Sequence, residues 1–324
     1  MVKAIRIHGP GGPEVLRYED VEVPAPGPGE VLLRQKACGL NYIDVYHRMG
    51  AYPLDYPATI GMEGMGVVEA VGEGVTAFKS GDRVAYADLP PGAYAEARVM
   101  PWHRLVKLPD AVDDTTAAAM MLQGMTVEYL IRRTFKVSKG DTVLFHAAAG
   151  GVGLIACQWL NHIGATVIGT VGSEEKAALA KAHGCHHTID YRREDFVARV
   201  KEITDGKGVP VVYDSVGKDT FDGSLDCLRP RGMMVLFGAA SGPAPAIDPN
   251  VLNKKGCLYL TRPSLMVYNK AREDLEACAA ALFEVVTSGK VKIEVNQTYP
   301  LSETAQAHRD LEGRKTTGST VLLP

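Results

Sequence analysis

The sequence predicts an α/β chain of two domains: a β-rich domain into which a doubly wound, parallel-sheet domain is inserted. Three observations lead there. From Thr142 to Leu260 short apolar runs alternate with helical patterns, as in a parallel sheet covered on both faces. The first part of the chain instead carries short strand-like runs broken by Gly and Pro. With 324 residues there is material for two cores at roughly 150 residues each.

Taken in order, Val31-Leu32-Leu33-Arg34 and Gly66–Val71 read as strands, and the Pro24–Gly29 and Gly72-Glu73-Gly74 stretches as turns. The texture changes near Gln123. Beyond it, strands are expected at Thr142–His146, Thr166–Thr170, His187–Ile189, Pro210–Asp214, Met233–Phe237 and Leu258–Leu260. Helices are expected between them at Gly153–Ile163, Glu174–His183, Asp195–Thr204 and Thr220–Leu228. Arg272–Ser288 reads as one long amphipathic helix, followed by strands at Val291–Val295 and Ser319–Leu323 that would complete the first domain's sheet. The expected division is 1–124 with 265–324 for the β-rich domain, and 125–264 for the inserted one.

Composition narrows the function. A formal net charge of −3 provides no electrostatic footprint for nucleic acid or anionic membrane. No apolar stretch approaches the ~20 residues of a bilayer span, and the N-terminus lacks the apolar block of a signal peptide. The six cysteines are scattered, with no C-x-x-C pair, which reads as thiols in a reducing, cytoplasmic setting.

The strongest local signal is Val143-Leu144-Phe145-His146-Ala147-Ala148-Ala149-Gly150-Gly151-Val152-Gly153, where a buried strand passes into a helix. Small residues there let the backbone approach a pyrophosphate, and the helix N-terminus offers free N–H groups. Against the G-x-G-x-x-G pattern, Ala148 replaces the first glycine while Gly150 and Gly153 are in place. A tight strand–helix turn uses glycine for packing alone, so the repeated strand–helix units that follow are what make this a dinucleotide site. The second strand ends at Val171, where an NAD site usually carries an acid. Ser173 and Lys176 lie just beyond it, which favours NADPH; Glu174 and Glu175 fit equally well as residues of a helix N-terminus.

Several segments together resemble the medium-chain dehydrogenase/reductase superfamily, and within it the zinc-independent quinone oxidoreductases related to zeta-crystallin. They are Gly61-Met62-Glu63-Gly64-Met65-Gly66-Val67-Val68, Gly81-Asp82-Arg83-Val84, Gly140-Asp141 and the glycine loop with Gln158. Tyr213-Asp214-Ser215-Val216-Gly217 and Thr261-Arg262-Pro263-Ser264-Leu265 look especially like bacterial NADPH:quinone oxidoreductases, whereas Asn161 departs from the signature. The resemblance covers essentially the whole chain. It implies a GroES-like catalytic domain and a Rossmann-type NADP-binding domain.

Zinc-dependent members hold catalytic zinc through Cys, His and Cys. Those positions hold Asn41, Met62 and Gln123 here, all poor zinc donors, and Gly92–Leu108 lacks the cysteines of the structural zinc lobe. Without a Lewis acid, an acceptor that is already electrophilic is the better partner, and a small quinone fits. The resemblance implies that Asn41, Tyr46 and Tyr52 line the acceptor and nicotinamide end, where amide and phenol donors support developing charge. On residue type alone the two tyrosines read as packing aromatics on a loop, and Tyr42 and Asp44 are expected to serve structure.

The same resemblance places Thr126 toward the nicotinamide, and Gly151 and Val152 at the pyrophosphate. It sets Thr170, Ser173, Lys176 and Tyr191 around the adenosine and its 2′-phosphate. Ser215, Phe237 and Ser264 line the rest of the groove, and Arg314 reaches toward the 2′-phosphate. Relatives are dimers, and Cys257–Thr261 reads as an edge strand that a second copy would cover. Two other readings stay open: NADPH-dependent reduction of α,β-unsaturated aldehydes or ketones, and a non-enzymatic crystallin-like or RNA-binding role.

Overall fold

In the computed structural model, which describes residues 1–324, the alternation after Thr142 folds into six parallel strands. Their spatial order is His187–Asp190, Thr166–Val171, Thr142–Phe145, Val209–Asp214, Leu228–Leu236 and Tyr259–Thr261. This is the doubly wound order 3-2-1-4-5-6, with its switch point beside the first strand. The central strands are apolar on both faces; Val209–Asp214 is buried throughout. Leu144, Ile168, Ile189, Val212 and Met234 meet in one core under the helices.

The helices start where local chemistry satisfies their first N–H groups. Ser173 accepts from Lys176 N–H to open Glu174–Ala182, and Asp195 accepts from Val197 and Ala198 N–H to open Phe196–Ile203. Gly164, at φ +89°, closes Gly151–Ile163. The helix expected at Thr220–Leu228 is shorter, Phe221–Asp226: Thr220 and Cys227 are its caps, and Leu228 already begins the next strand.

The other compact unit comprises Met1–Met125, Asn269–Thr287 and Ile293–Pro324, while Thr126–Tyr268 and Ser288–Lys292 form the unit just described. In the former, Glu30–Leu40 is the central strand. It pairs antiparallel with Glu63–Val71, with Ala97–Pro101 and with the C-terminal Ser319–Leu323. Val295–Pro300 then adds parallel to Ser319–Leu323. The last strand is thus part of the sheet that the first residues build. Leu33, Cys38, Leu40, Tyr86, Tyr94 and Leu322 lie in the core of this unit. Helix Arg272–Thr287 turns Leu275, Cys278, Ala279, Leu282 and Val285 inward.

Two expectations change. The strand expected at Val291–Val295 begins only at Val295. Lys292 has its N–H and C=O taken by the Gln158 side chain, at 2.8 and 2.9 Å, so neither group is left for a ladder. Helix Asp114–Tyr129 was not anticipated: Ala117–Met121 are all buried, so it has no polar face whose period would betray a helix.

One buried charge ties helix Tyr42–Arg48 to the C-terminal helix Thr304–Glu312. Arg48 is 1% exposed; it donates to both Glu312 carboxylate oxygens, at 2.6 and 3.0 Å, to Gly11 O at 3.0 Å and to His308 Nδ1 at 3.0 Å. Arg48→Ala is expected to cost about 3 kcal/mol, the lower end for breaking a buried pair because Glu312 is partly exposed and can rehydrate. Arg48→Lys should recover only part of it, since one ammonium lacks the planar fork. Chemical denaturation of the three proteins measures both.

Candidate active site

The glycine loop is built by the end of strand Thr142–Phe145 and the start of helix Gly151–Ile163. Ala147 adopts φ +55°, and Gly150 N–H donates to Ala147 O at 3.0 Å. Gly150 is the N-cap and no side chain caps the helix, so its first N–H groups, on Gly151, Val152 and Gly153, are open to an anion. At Gly153 the helix meets the loop in near-contact: a Cβ there would lie 2.4 Å from Ala147 O and 2.6 Å from Ala148 C. Glycine is required at that position by packing as well as by ligand approach.

Beneath the loop runs a polar chain in which Asp214, Ser224, His146 and Thr170 are all buried. Asp214 accepts from Val216 and Gly217 N–H on one oxygen and from Thr220 and Ser224 hydroxyls on the other. Ser224 donates to Asp214, so its oxygen accepts from His146 Nε2–H at 2.9 Å; His146 Nδ1 then accepts from the Thr170 hydroxyl at 2.9 Å. Thr170 in turn accepts from Ala147 N–H at 3.3 Å. Burial holds the His146 imidazole below its usual pKa, against the opposing pull of Asp214, which suits the neutral tautomer this chain needs. Thr170 was expected at the adenosine. It is buried and its hydroxyl is engaged inside, so it supports the loop from below.

Beyond the end of strand Thr166–Val171, a small cleft is lined by Gly172, Ser173, Glu174, Glu175, Asp190, Arg192 and Arg193. Ser173 caps its helix, and its hydroxyl bonds Glu175, whose pKa is lowered first by its own backbone N–H and then by Ser173. Tyr191 lies over Gly172, where a Cβ would come 2.6 Å from the phenol oxygen. Lys176 is half-buried on the first helical turn. Arg193 pairs with Glu174 and Asp190. Two consecutive arginines after a strand are visible in the sequence, but which strand they follow in space is decided by the sheet order. Ser215 and Phe237 follow adjacent strands, Phe237 N–H donates to Asp214 O, and its ring packs 5.8 Å from that of Phe145. Thr126 is buried near the end of its helix, and Ser264 accepts from Val267 and Tyr268 N–H to start the turn Leu265–Tyr268.

In the other unit Asn41 is the N-cap of helix Tyr42–Arg48, which presents Tyr46. Its N–H donates to Asp44 Oδ2 at 2.9 Å, and Tyr94 donates to the same oxygen at 2.7 Å. The rings of Tyr42 and Tyr46 lie 5.5 Å apart and those of Tyr46 and Tyr52 6.3 Å apart; Tyr52 is 42% exposed. Arg314, at φ +59°, is exposed after the C-terminal helix in this same unit.

The Asn41 side chain enters a second buried network. Its Nδ2 donates to Glu63 Oε2 at 2.6 Å, Gln123 Nε2 donates to its Oδ1 at 3.2 Å, and Ser319 donates to Gln123 Oε1 at 2.8 Å. Leu122 N–H donates to Glu63 Oε1 at 3.0 Å. Burial pushes Glu63 up to about 8 and Asp44 up to about 7, against the hydrogen bonds that each accepts. Gly39 makes room for the carboxylate: a Cβ there would sit 2.3 Å from Glu63 Oε2. Glu63, His146, Asp214 and Ser319 were not singled out from the sequence. The one available signal was an acid, Glu63, set among apolar and glycine positions of a strand.

Comparison with known proteins agrees with this geometry. Residues 27–110 match the family model described as alcohol dehydrogenase GroES-like domain, and residues 151–283 that described as zinc-binding dehydrogenase. The chain is 54% identical to the quinone oxidoreductase of Pseudomonas aeruginosa, with all of both chains covered. It belongs to the quinone oxidoreductases of the medium-chain dehydrogenase/reductase superfamily. A Burkholderia relative, 50% identical over all of this chain and 99% of its own, is a 2-haloacrylate reductase. The structure of Escherichia coli quinone oxidoreductase complexed with NADPH superposes with a TM-score of 0.98 at 47% identity, covering 99% of this chain and all of that one.

The zinc in one of those family descriptions does not fit the donors here. Asn41 and Gln123 are committed to each other and to Glu63 and Ser319, Met62 offers a buried thioether, and no His/Cys/Asp/Glu group of metal-binding size occurs.

The close packing at Gly153 has a testable result. Gly153→Ala should cost about 1–3 kcal/mol of stability, because the atoms a methyl would strike are backbone. It should also weaken NADPH binding, read by thermal denaturation and by fluorescence titration.

Proposed function

We propose that this protein is an NADPH:quinone oxidoreductase that passes a hydride to a small quinone without a bound metal. The observation that carries this reading is a division of chemistry within one quinone oxidoreductase chain. One unit holds an uncapped glycine helix terminus at the switch point of a doubly wound sheet. The other holds the amides of Asn41 and Gln123 at two of the positions where zinc-dependent relatives place metal ligands, and carries the Tyr46 and Tyr52 phenols on and just after the helix that Asn41 caps. In this reading 125–264 serves as the NADP-binding domain, and 1–124 with 265–324 as the catalytic domain.

NADPH supplies the hydride when bound. The open N–H groups of Gly151, Val152 and Gly153 take the pyrophosphate, and Gly150 leaves its path clear. Lys176, Tyr191 and Arg314, with Arg192 and Ser173, serve the 2′-phosphate, which no acid at Val171 repels. Thr126, Ser215, Phe237 and Ser264 line the remainder. Asn41 orients the reacting end, and the Tyr46 and Tyr52 phenols donate to the quinone oxygen as charge develops there. Solvent protonates that oxygen after transfer, in keeping with the exposure of Tyr52.

Reduction of an activated alkene is the second reading, and the 2-haloacrylate reductase relative favours it. Both reactions use the same donors; they differ in whether a proton must arrive with the hydride. No helix is long and apolar enough to cross a membrane, and a cytoplasmic location accords with five buried cysteines that form no disulfide. Strand Tyr259–Thr261 ends the parallel sheet, and Tyr259 is 58% exposed on it. A second copy of the chain covering that edge, as a homodimer, would remove the liability.

Three measurements test these points. Tyr46→Phe and Tyr52→Phe should each slow single-turnover NADPH oxidation by benzoquinone about tenfold, the loss of one replaceable donor. A loss of a thousandfold or more with NADPH binding intact marks an obligate proton donor and makes alkene reduction the better description. Lys176→Ala should weaken NADPH by about 1.5–3 kcal/mol, one charge-assisted bond, and leave NADH little changed; equal losses in both titrations place Lys176 away from the phosphate. Light scattering at micromolar concentration should give the mass of two chains, and a single-chain mass rejects the dimer.

A further inference from the structure

Glu63 is a fully buried carboxyl with no cation beside it, and the reaction proposed above makes no use of it. Its two oxygens have different duties. Oε1 is claimed by backbone, through Leu122 N–H at 3.0 Å, and only Oε2 faces the Asn41 amide, at 2.6 Å. From there every bond has a direction. The Ser319 hydroxyl donates to Gln123 Oε1, Gln123 Nε2 donates to Asn41 Oδ1, and Asn41 Nδ2 donates to Glu63. A carboxylate at 63 accepts only, so it compels Asn41 to turn its NH2 inward, and that choice propagates to Gln123 and Ser319. The opposite direction is also bonded: the Asp44 N–H that faces the Asn41 side chain in the capping box keeps Asn41 O as an acceptor, at 3.0 Å. With a donor at the Oε2 position, Asn41 would turn its oxygen to 63, and Gln123 would turn with it. Ser319 would then accept from Gln123 and donate to Ala119 O, which already lies 3.1 Å from its hydroxyl.

We propose that Glu63 is a positioning residue for the reaction: through the chain Glu63–Asn41–Gln123–Ser319 it sets which end of the Asn41 amide is presented to the reacting groups. The chain has two self-consistent states and no unsatisfied member in either, so the group at 63 selects between them. C-terminal strand Ser319–Leu323 takes part, because Ser319 is the member that terminates the chain in one state and passes it on in the other.

The proposal rests on the reading of Asn41 as a site residue, and the experiment separates the two. It is run about one pH unit above the value near 8 to which burial pushes Glu63, so that the wild-type chain is set by the carboxylate. Asp44, Cys38 and Tyr94 are the ionisable groups facing Glu63. There Asp44, at about 7, is charged, whereas Cys38, pushed up to about 12 by burial, and Tyr94, raised well above its usual value by burial, stay neutral.

In Glu63→Gln, Leu122 N–H holds the new oxygen, the NH2 faces Asn41, and the chain reverses. Single-turnover hydride transfer to benzoquinone should fall at least about tenfold while NADPH affinity stays within about twofold. The side-chain amide 15N–1H signals of both Asn41 and Gln123 should move. Adding Asn41→Asp gives the reversed donor an acceptor that also accepts from Gln123, so in Glu63→Gln/Asn41→Asp the Gln123 signals should return to their wild-type positions. Unchanged Gln123 signals and an unchanged rate in Glu63→Gln overturn the proposal, as does failure of the double variant to restore Gln123. If instead Asn41→Ala leaves hydride transfer unchanged, the assignment of Asn41 to the site fails, and the amide signals still judge the chain.

Discussion

The buried carboxylate of Asp214 organises the C-terminal edge of the parallel sheet. It carries four hydrogen bonds at zero exposure, which satisfies its lone pairs where water cannot reach. Two of the donors are backbone groups of the turn after its own strand. The others are hydroxyls, and one of these passes the connection through His146 and Thr170 to the turn after the neighbouring strand. The two loops that flank the topological switch are therefore held by one network. The open helix terminus at Gly151 keeps its place because the residues before it are pinned from beneath.

The first unit solves a different problem by similar means. Where zinc-dependent relatives hold a metal, it has amides, and an amide is a weaker organiser because it rotates and reads almost the same either way round. The structure removes that freedom by burial and by directional partners. Asn41 is fixed through its backbone by Asp44 and through its side chain by Glu63 and Gln123. These three partners come from separate stretches of the chain, and Gln123 is itself held by Ser319 of the last strand, so the C-terminal strand contributes to the arrangement of a residue near the start.

The resemblance to quinone oxidoreductases and the family membership agree because the motifs that carry it are local: a glycine loop, a Gly-x-Glu-Gly strand, short stretches at strand ends. Elements with a clear period were legible too, within a residue or two at most ends. Helix Asp114–Tyr129 was not, since burial on all sides erases the polar stripe. Nor was the loss of the strand at Val291, since Gln158 is distant in sequence and takes the backbone groups by a side-chain contact.

What the sequence by itself determined is therefore the set of facts written in spacing: alternating strands and helices, the uncapped glycine turn, the missing zinc donors, the absent acid at Val171. Only the tertiary structure decided which buried polar groups answer one another. The Thr170 hydroxyl bonds His146 and Ala147 N–H beneath the loop, and Glu63, His146, Asp214 and Ser319 emerged as members of networks. The physical reason is that a polar residue's role inside a protein is set by its hydrogen-bond partners. Those partners lie up to 264 residues apart along the chain, as Arg48 and Glu312 do, at separations where spacing carries no information.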